Sequence, residues 1–300
     1  MQASGAHLAA KEGGPPRSWR PISLLSTDYK VVAKAIPLWL RSVLADVVHP
    51  DQTYTVPGCT IFDNLYLVQD LLEPGCRDGL SFALLSLDQE KAFDRMDHGY
   101  LLGTLRVFGF GPQFAGFLQA LYADAECLVR LNWTLTEPVS FGQGVRQGCL
   151  LSGQLYTLAI EPFLHLLRKR LMGLVLCELE VRLVLAVYAD DVLLMVQDPD
   201  DLVWVEACQA VYSAASSARV NWVKNSGLVV GGGVGELPLT HASGHPVECG
   251  FAALSWRLSF CPTSVSTGEL AWFTGKGDGA VAGLDRTAPV PLPPGESAGA

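Results

Sequence analysis

Apolar and polar positions alternate in two rhythms along residues 18–230. In "IFDNLYLVQDLL", Ile61, Leu65, Val68 and Leu72 recur at helical spacing. "DYKVVAKAIPLWLRSVLADVV" and "LYTLAIEPFLHLLRKRL" are longer helical stretches containing Pro37 and Pro162, and "YLLGTLRVFGF" is a shorter one. Pro37 is expected to interrupt or kink its helix, because proline lacks an N–H and its ring crowds the preceding turn. "LSFALLSLD" is an unbroken apolar run of strand length ending at Asp88. "VRLVLAVYADDVLLMV" reads as strand, tight turn, strand, with Asp190 and Asp191 at the turn. Helices and strands mixed in this order predict an α+β fold.

Texture divides the chain into three parts. Residues 1–17 are small, Gly/Pro-rich and aperiodic, a degenerate or disordered lead. Residues 18–230 are the expected folded unit. Residues 231–300 turn Gly/Pro/Ser/Thr-rich and end "APVPLPPGESAGA", a low-complexity tail. At 300 residues and 49% hydrophobic, the chain can bury a substantial core. The formal charge of 21 − 30 = −9 argues against a simple basic-patch binder, so any polyanion must be held locally. Eight cysteines without a C-x-x-C pair suggest neither a zinc site nor a disulfide scaffold, and fit reduced thiols in an intracellular protein. The opening "MQASGAHLAAKEGGPPRSW" has no apolar signal core, and no apolar run reaches spanning length. The expectation is a soluble protein without a membrane partner and without an address that decides between nucleus and cytoplasm.

Two adjacent carboxylates between apolar strands call for neutralisation. Asp190 and Asp191 repel one another and raise each other's pKa unless a cation sits beside them, which a divalent metal does well. Asp88 ends the other apolar strand, so pairing the two strands brings three carboxylates together, the ligand set of a two-Mg²⁺ phosphoryl-transfer site. An Asp-Asp pair in a hairpin is by itself ordinary turn chemistry, so other segments must decide.

Several do, in order. "SWRPISLLSTDYKVVAKA", "LLSLDQEKAFDRMDH", "GVRQGCLLSGQLYTLAIEP", "YADDVLL" and "ARVNWVKNSGL" resemble successive segments of the reverse transcriptases of non-LTR, LINE-type retrotransposons. The resemblance covers about residues 18–230. It implies right-hand polymerase fingers and palm, with a β-hairpin carrying YADD, and an RNA-directed DNA polymerase that joins a dNTP to a primer 3′-hydroxyl on an RNA template. It implies two Mg²⁺ ions, replaceable by Mn²⁺, on Asp88 and Asp190, with Asp191 adjacent. By the same resemblance, Phe93 underlies the incoming sugar and rejects a 2′-hydroxyl. Arg20 and Lys30 close on the triphosphate. Gln147 contacts sugar and base pair, while Gly144 and Gly148 let the backbone approach template and nucleotide. Lys224 matches a lysine that protonates the leaving pyrophosphate, with a surface lysine as the alternative. His98 matches a family position without assigned chemistry.

The chain also departs from that pattern. Leu150 follows "RQGC" where the family has Pro, and Cys59 replaces a usual Arg, which weakens one fingers contact. The family's endonuclease is absent from this chain. After "SGLVVGGGVGELPL" the expected grip hairpin and basic helical thumb fade into Pro/Gly-rich sequence. Codons permitted for Gly275–Ala300, read one nucleotide later, yield a basic amphipathic stretch without acidic residues, which points to a frameshift and a missing thumb. The alternative to an enzyme is therefore a catalytically inactive retrotransposon remnant that at most binds nucleic acid. A viral-type RNA polymerase is disfavoured by Ala189, where Gly-Asp-Asp is expected, and by Phe93.

Overall fold

The computed structural model describes residues 4–9, 20–78, 80–123, 125–131, 134–140, 142–230 and 248–249. In chain order the elements are β1 (Ser4–Ala9), β2 (Arg20–Leu24), α1 (Thr27–Val47), α2 (Ile61–Asp78), β3 (Phe82–Leu87), α3 (Ala92–Arg95), α4 (His98–Val107) and α5 (Pro112–Tyr122). There follow β4 (Glu126–Leu131), β5 (Thr134–Leu135), β6 (Val139–Ser140), α6 (Leu150–Arg170), β7 (Leu174–Leu176), β8 (Val181–Leu183), β9 (Leu185–Tyr188), β10 (Asp191–Val196), α7 (Asp201–Ser216), β11 (Ser226–Val230) and β12 (Glu248–Cys249). Within the 1–17 lead, Ser4–Ala9 is a strand. Of the 231–300 tail only β12 is described, so the reading of that tail otherwise lies outside the described residues.

A sheet of order β12-β11-β3-β10-β9 carries the core. All six residues of β3 are buried, because both faces of the strand are covered. Ala83, Leu85 and Leu87 join the main apolar cluster with α6, whereas Phe82 and Leu84 join a second cluster with Val68, Leu71 and Leu72 of α2. This two-sided burial is why β3 reads as an unbroken apolar run rather than an alternating one. β10 divides the same way, with Val192, Leu194 and Val196 in the main cluster and Met195 in the second. A second sheet runs β2-β1-β4-β5 with β6 on β4, and β7 pairs with β8.

α6 packs against α1, α4 and α7. Residues around its whole circumference are buried, so it shows little amphipathic period. Arg168, Lys169 and Arg170 fill its last turn, where cations suit the helix dipole. Phe163 stacks on Tyr212 of α7 at 4.7 Å. α1 starts at Ser26, whose Oγ accepts the Tyr29 N–H.

Two expectations are corrected. Of the two outcomes expected at Pro37, interruption is overturned: α1 runs through it, because Tyr29, Ala33, Pro37, Leu40 and Leu44 form one buried stripe, α1 packs on α6, and tertiary packing outweighs the lost backbone bond. Gln154 of α6 donates to the Pro37 carbonyl there, at 3.1 Å. The first arm of "VRLVLAVYADDVLLMV" is two strands rather than one. β8 leaves with β7, and the break falls at Val184, whose carbonyl still accepts the Met195 N–H at 2.9 Å.

Phe163 has no exposed surface and stacks across the α6–α7 contact. Phe163→Ala should lower unfolding free energy by about 3–5 kcal/mol, read as a reduced midpoint in urea denaturation.

Candidate functional site at the carboxylate end of the sheet

Backbone register sets the three acids of the sequence pattern at one end of the central strands. Val192 pairs with Leu87 in antiparallel register, so the next step along that register sets Asp191 opposite Asp88. Asp191 also pairs with Tyr188 across the β9–β10 turn, whose linking residues are Ala189 and Asp190. All three acids are half-buried. Among the described residues no group of three or more His, Cys, Asp and Glu side chains is arranged so that it could hold a metal ion.

The turn's field reaches the tyrosines around it. Burial holds the Tyr156 hydroxyl well above its ordinary pKa, and the charges of Asp190 and Asp191 add to that effect. Burial likewise raises Tyr54, with Tyr188 and Asp190 contributing. Both phenols therefore stay neutral beside the acids. Tyr54 and Tyr188 meet edge to face at 5.0 Å.

Asp88 is held through its backbone by a segment distant in sequence. Its N–H donates to Asn225 Oδ1 at 2.9 Å, and its carbonyl accepts the Asn221 N–H at 2.8 Å. Lys224 lies inside that segment and is exposed. Asn225 was missed by sequence reasoning, since an Asn before a strand looks like turn punctuation. Gln89, next to Asp88, was missed too. It is 5% exposed, and neither amide atom has a hydrogen-bond partner among the described residues.

Phe93 sits in α3, half-buried, its ring stacked on Tyr156 at 4.5 Å and 20°. Its carbonyl accepts the Val145 N–H at 2.7 Å, and the Gly144 N–H donates to Met96 O at 2.7 Å. Gln147 Nε2 donates to Asp94 Oδ1 at 2.8 Å, and His98 Nε2 lies 2.8 Å from the Gly144 carbonyl. The Gln147 carbonyl in turn accepts the Ser23 N–H. "FDRMDH" and "GVRQGC" are thus one knitted unit, which gives His98 a structural role. Arg146 is buried inside it, its guanidinium 4.6 Å from the Tyr29 ring centre and 5.6 Å from that of Tyr122, a role the sequence did not signal.

Gly144 is required by the packing of the chain itself. Its φ is +89°, and a Cβ would fall 2.7 Å from the Asp94 carbonyl oxygen, so the close approach is to the chain itself. Gly148 has φ +92° and is exposed. Arg20 begins β2, opposite Ala9 in register, and Lys30 is exposed in the first turn of α1. Farther along α1, Lys34 and Arg41 line a cleft of about 370 Å³ together with Thr53, Cys59, Gln154 and Tyr188. No helix among the described residues is long and apolar enough to cross a membrane.

A family model described as "Reverse transcriptase (RNA-dependent DNA polymerase)" matches residues 9–231. Over 215 residues the chain is 67% identical to the Transposon TX1 uncharacterized 149 kDa protein of Xenopus laevis, covering 72% of this chain and 16% of that protein. It is 27% identical over 154 residues to the Retrovirus-related Pol polyprotein from type-2 retrotransposable element R2DM of Drosophila melanogaster, covering 51% of this chain and 14% of that one. The chain therefore spans under a fifth of the length of either relative. Apo telomerase from Candida tropicalis matches in fold, with TM-score 0.53 and 15% identity over 79% of this chain and 45% of that chain. The mixed helix-and-sheet architecture is that of right-hand polymerases.

Gly144→Ala should place a Cβ against backbone that has no room to yield. A loss of about 1–3 kcal/mol is expected, read as a lower thermal midpoint.

Proposed function

Because the chain belongs to the reverse transcriptase (RNA-dependent DNA polymerase) family, we propose that residues 18–230 are fingers and palm for RNA-templated DNA synthesis, with β9–β10 as the metal hairpin. The observation that carries this reading is the strand register, which sets Asp191 opposite Asp88 and Asp190 beside them. Hard carboxylate oxygens on two paired strands suit Mg²⁺, which normally takes its remaining ligands from water and substrate phosphates. Asp88 and Asp190, with Asp191 adjacent, would hold two Mg²⁺ or Mn²⁺, which supply the positive charge that neutralises the attacking and leaving oxygens.

The chain's own residues do the rest. The reaction is attack of a primer 3′-hydroxyl on the α-phosphate of a dNTP, with pyrophosphate leaving. Arg20 and Lys30 bind the triphosphate from the fingers side. Lys224, on the segment bonded to Asp88, donates a proton to the pyrophosphate. Phe93 is a wall for the sugar: its ring is backed by fully buried Tyr156, so a 2′-hydroxyl meets a surface that cannot recede. Gln147, oriented by Asp94, contacts sugar and base pair, and Gly148 leaves room for them. Lys34 and Arg41 give the RNA–DNA duplex a local cationic track on a chain of net charge −9. In the same reading residues 231–300 are out of frame.

Primer extension on poly(rA)/oligo(dT) with Mg²⁺ or Mn²⁺ tests the proposal. Extension is expected from this chain and should fall to background in Asp190→Asn. Binding of template–primer with no extension under either metal would instead establish the inactive remnant.

Two further outcomes are expected. Phe93→Ala should incorporate ribonucleotides in competition assays, where unchanged discrimination would remove the sugar-wall role. Lys34→Ala with Arg41→Ala should weaken template–primer binding and flatten its dependence on log salt, by about 0.9 for each duplex phosphate that the variant no longer neutralises, measured by fluorescence anisotropy.

A further inference from the structure

A buried amide lying outside all five motif segments grips the turn that carries Asp190. Gln52 has no exposed surface. Its Oε1 accepts the Ala189 N–H at 3.3 Å, and its Nε2 donates to the Ala189 carbonyl at 3.4 Å. The same Oε1 accepts the Tyr54 N–H at 3.0 Å. Ala189 is the turn residue with φ 59°, a conformation that costs a residue bearing a Cβ roughly 1–2 kcal/mol unless its surroundings hold it.

The grip is continuous with the rest of the fold. Gln52 lies in a bridge parallel to Val187, along the free edge of β9. The Val187 N–H donates to the Asp51 carbonyl at 2.8 Å, and the Val187 carbonyl accepts from Thr53 N–H, Thr53 Oγ1 and Asn64 Nδ2. Asp51 is in turn clasped by Arg168 of α6 through two bonds of 2.7 and 2.6 Å, with Glu161 on the same guanidinium at 2.6 Å. Burial raises the Glu161 carboxyl and Arg168 draws it back down. A polar chain therefore runs from α6 through Asp51 and Gln52 to Ala189, one residue from Asp190.

We infer that Gln52 is a positioning residue: its amide fixes the backbone of the β9–β10 turn and thereby the carboxylate of Asp190. A tight two-residue turn has few internal bonds, and its tip would otherwise sample several backbone states. A carboxylate that must meet an ion within a few tenths of an ångström needs one. A planar amide suits the task because it donates and accepts at once. Ionised Glu in its place has no proton for the Ala189 carbonyl, while protonated Glu has both functions. The metal part of this inference rests on the function proposed above, whereas the grip itself does not.

The test separates the two on the full chain. Amide exchange at Ala189, read by NMR, should run about tenfold faster in Gln52→Leu than in wild type, while Leu85 in β3 stays protected. Gln52→Glu should restore wild-type protection at pH values below the pKa of its buried carboxyl and lose it above, each compared with wild type at the same pH. Ala189 exchange unchanged in both variants overturns the grip. A thermal melt of each variant identifies one that fails to fold, and the pH-dependent rescue within a single folded Gln52→Glu sample decides the matter if Gln52→Leu does fail. Mn²⁺ titration by EPR then reads the consequence, with affinity expected to fall in both Asp190→Asn and Gln52→Leu. Loss in Asp190→Asn alone would overturn the positioning of the carboxylate and leave the metal site standing. Binding indifferent to Asp190→Asn would remove the metal role of Asp190, and with it the metal part of the inference, while the exchange result still decides the grip.

Discussion

The antiparallel register of β3 and β10 is the constraint on which the carboxylate end depends. With Val192 opposite Leu87, the alternating residues of each strand fall to the α6 face and the α2 face, and the acids fall just past the strand ends. A slip of one residue would exchange the two faces of β10 and move Asp191 off Asp88. Two apolar layers thus hold a polar site in register, and Tyr156 of the main layer reaches it by stacking on Phe93.

Around that register the site is assembled from segments far apart in sequence. Residues 93–98 and 143–147 bind each other through backbone and side chain, and the contact closes only because position 144 lacks a Cβ. Residues 221–225 hold the backbone of Asp88, and residues 51–53 cover the open edge of β9. Each attachment combines backbone hydrogen bonds with one particular polar side chain: Gln147 on Asp94, Asn225 on Asp88 and Gln52 on Ala189.

Charge is placed with the same selectivity. The chain is acidic overall, yet Lys30, Lys34 and Arg41 recur along α1, and the two latter line the cleft beside Tyr188. The half-buried Arg168 serves the interior instead, where two carboxylates and good geometry offset the cost of partly removing it from water.

Much of this was legible in the sequence. The strand ending at Asp88, the hairpin around Asp190 and Asp191, and the helical stretches at 61–72 and 155–171 follow from run length and period, because burial leaves its imprint residue by residue. The ordered motifs identified the family for a similar reason, since each is a local string. What only the tertiary structure decided depends on partners distant in sequence. α1 continues through Pro37 because α6 packs along it, and the arm before YADD divides because β8 pairs with β7. Gly144 answers to the carbonyl of Asp94. Gln52, Arg146 and Asn225 are ordinary polar letters in the string, and their roles arise only where folding buries them against Ala189, Tyr29 and Asp88. A buried polar side chain is specified by whatever satisfies its hydrogen bonds, and local sequence carries no record of that partner.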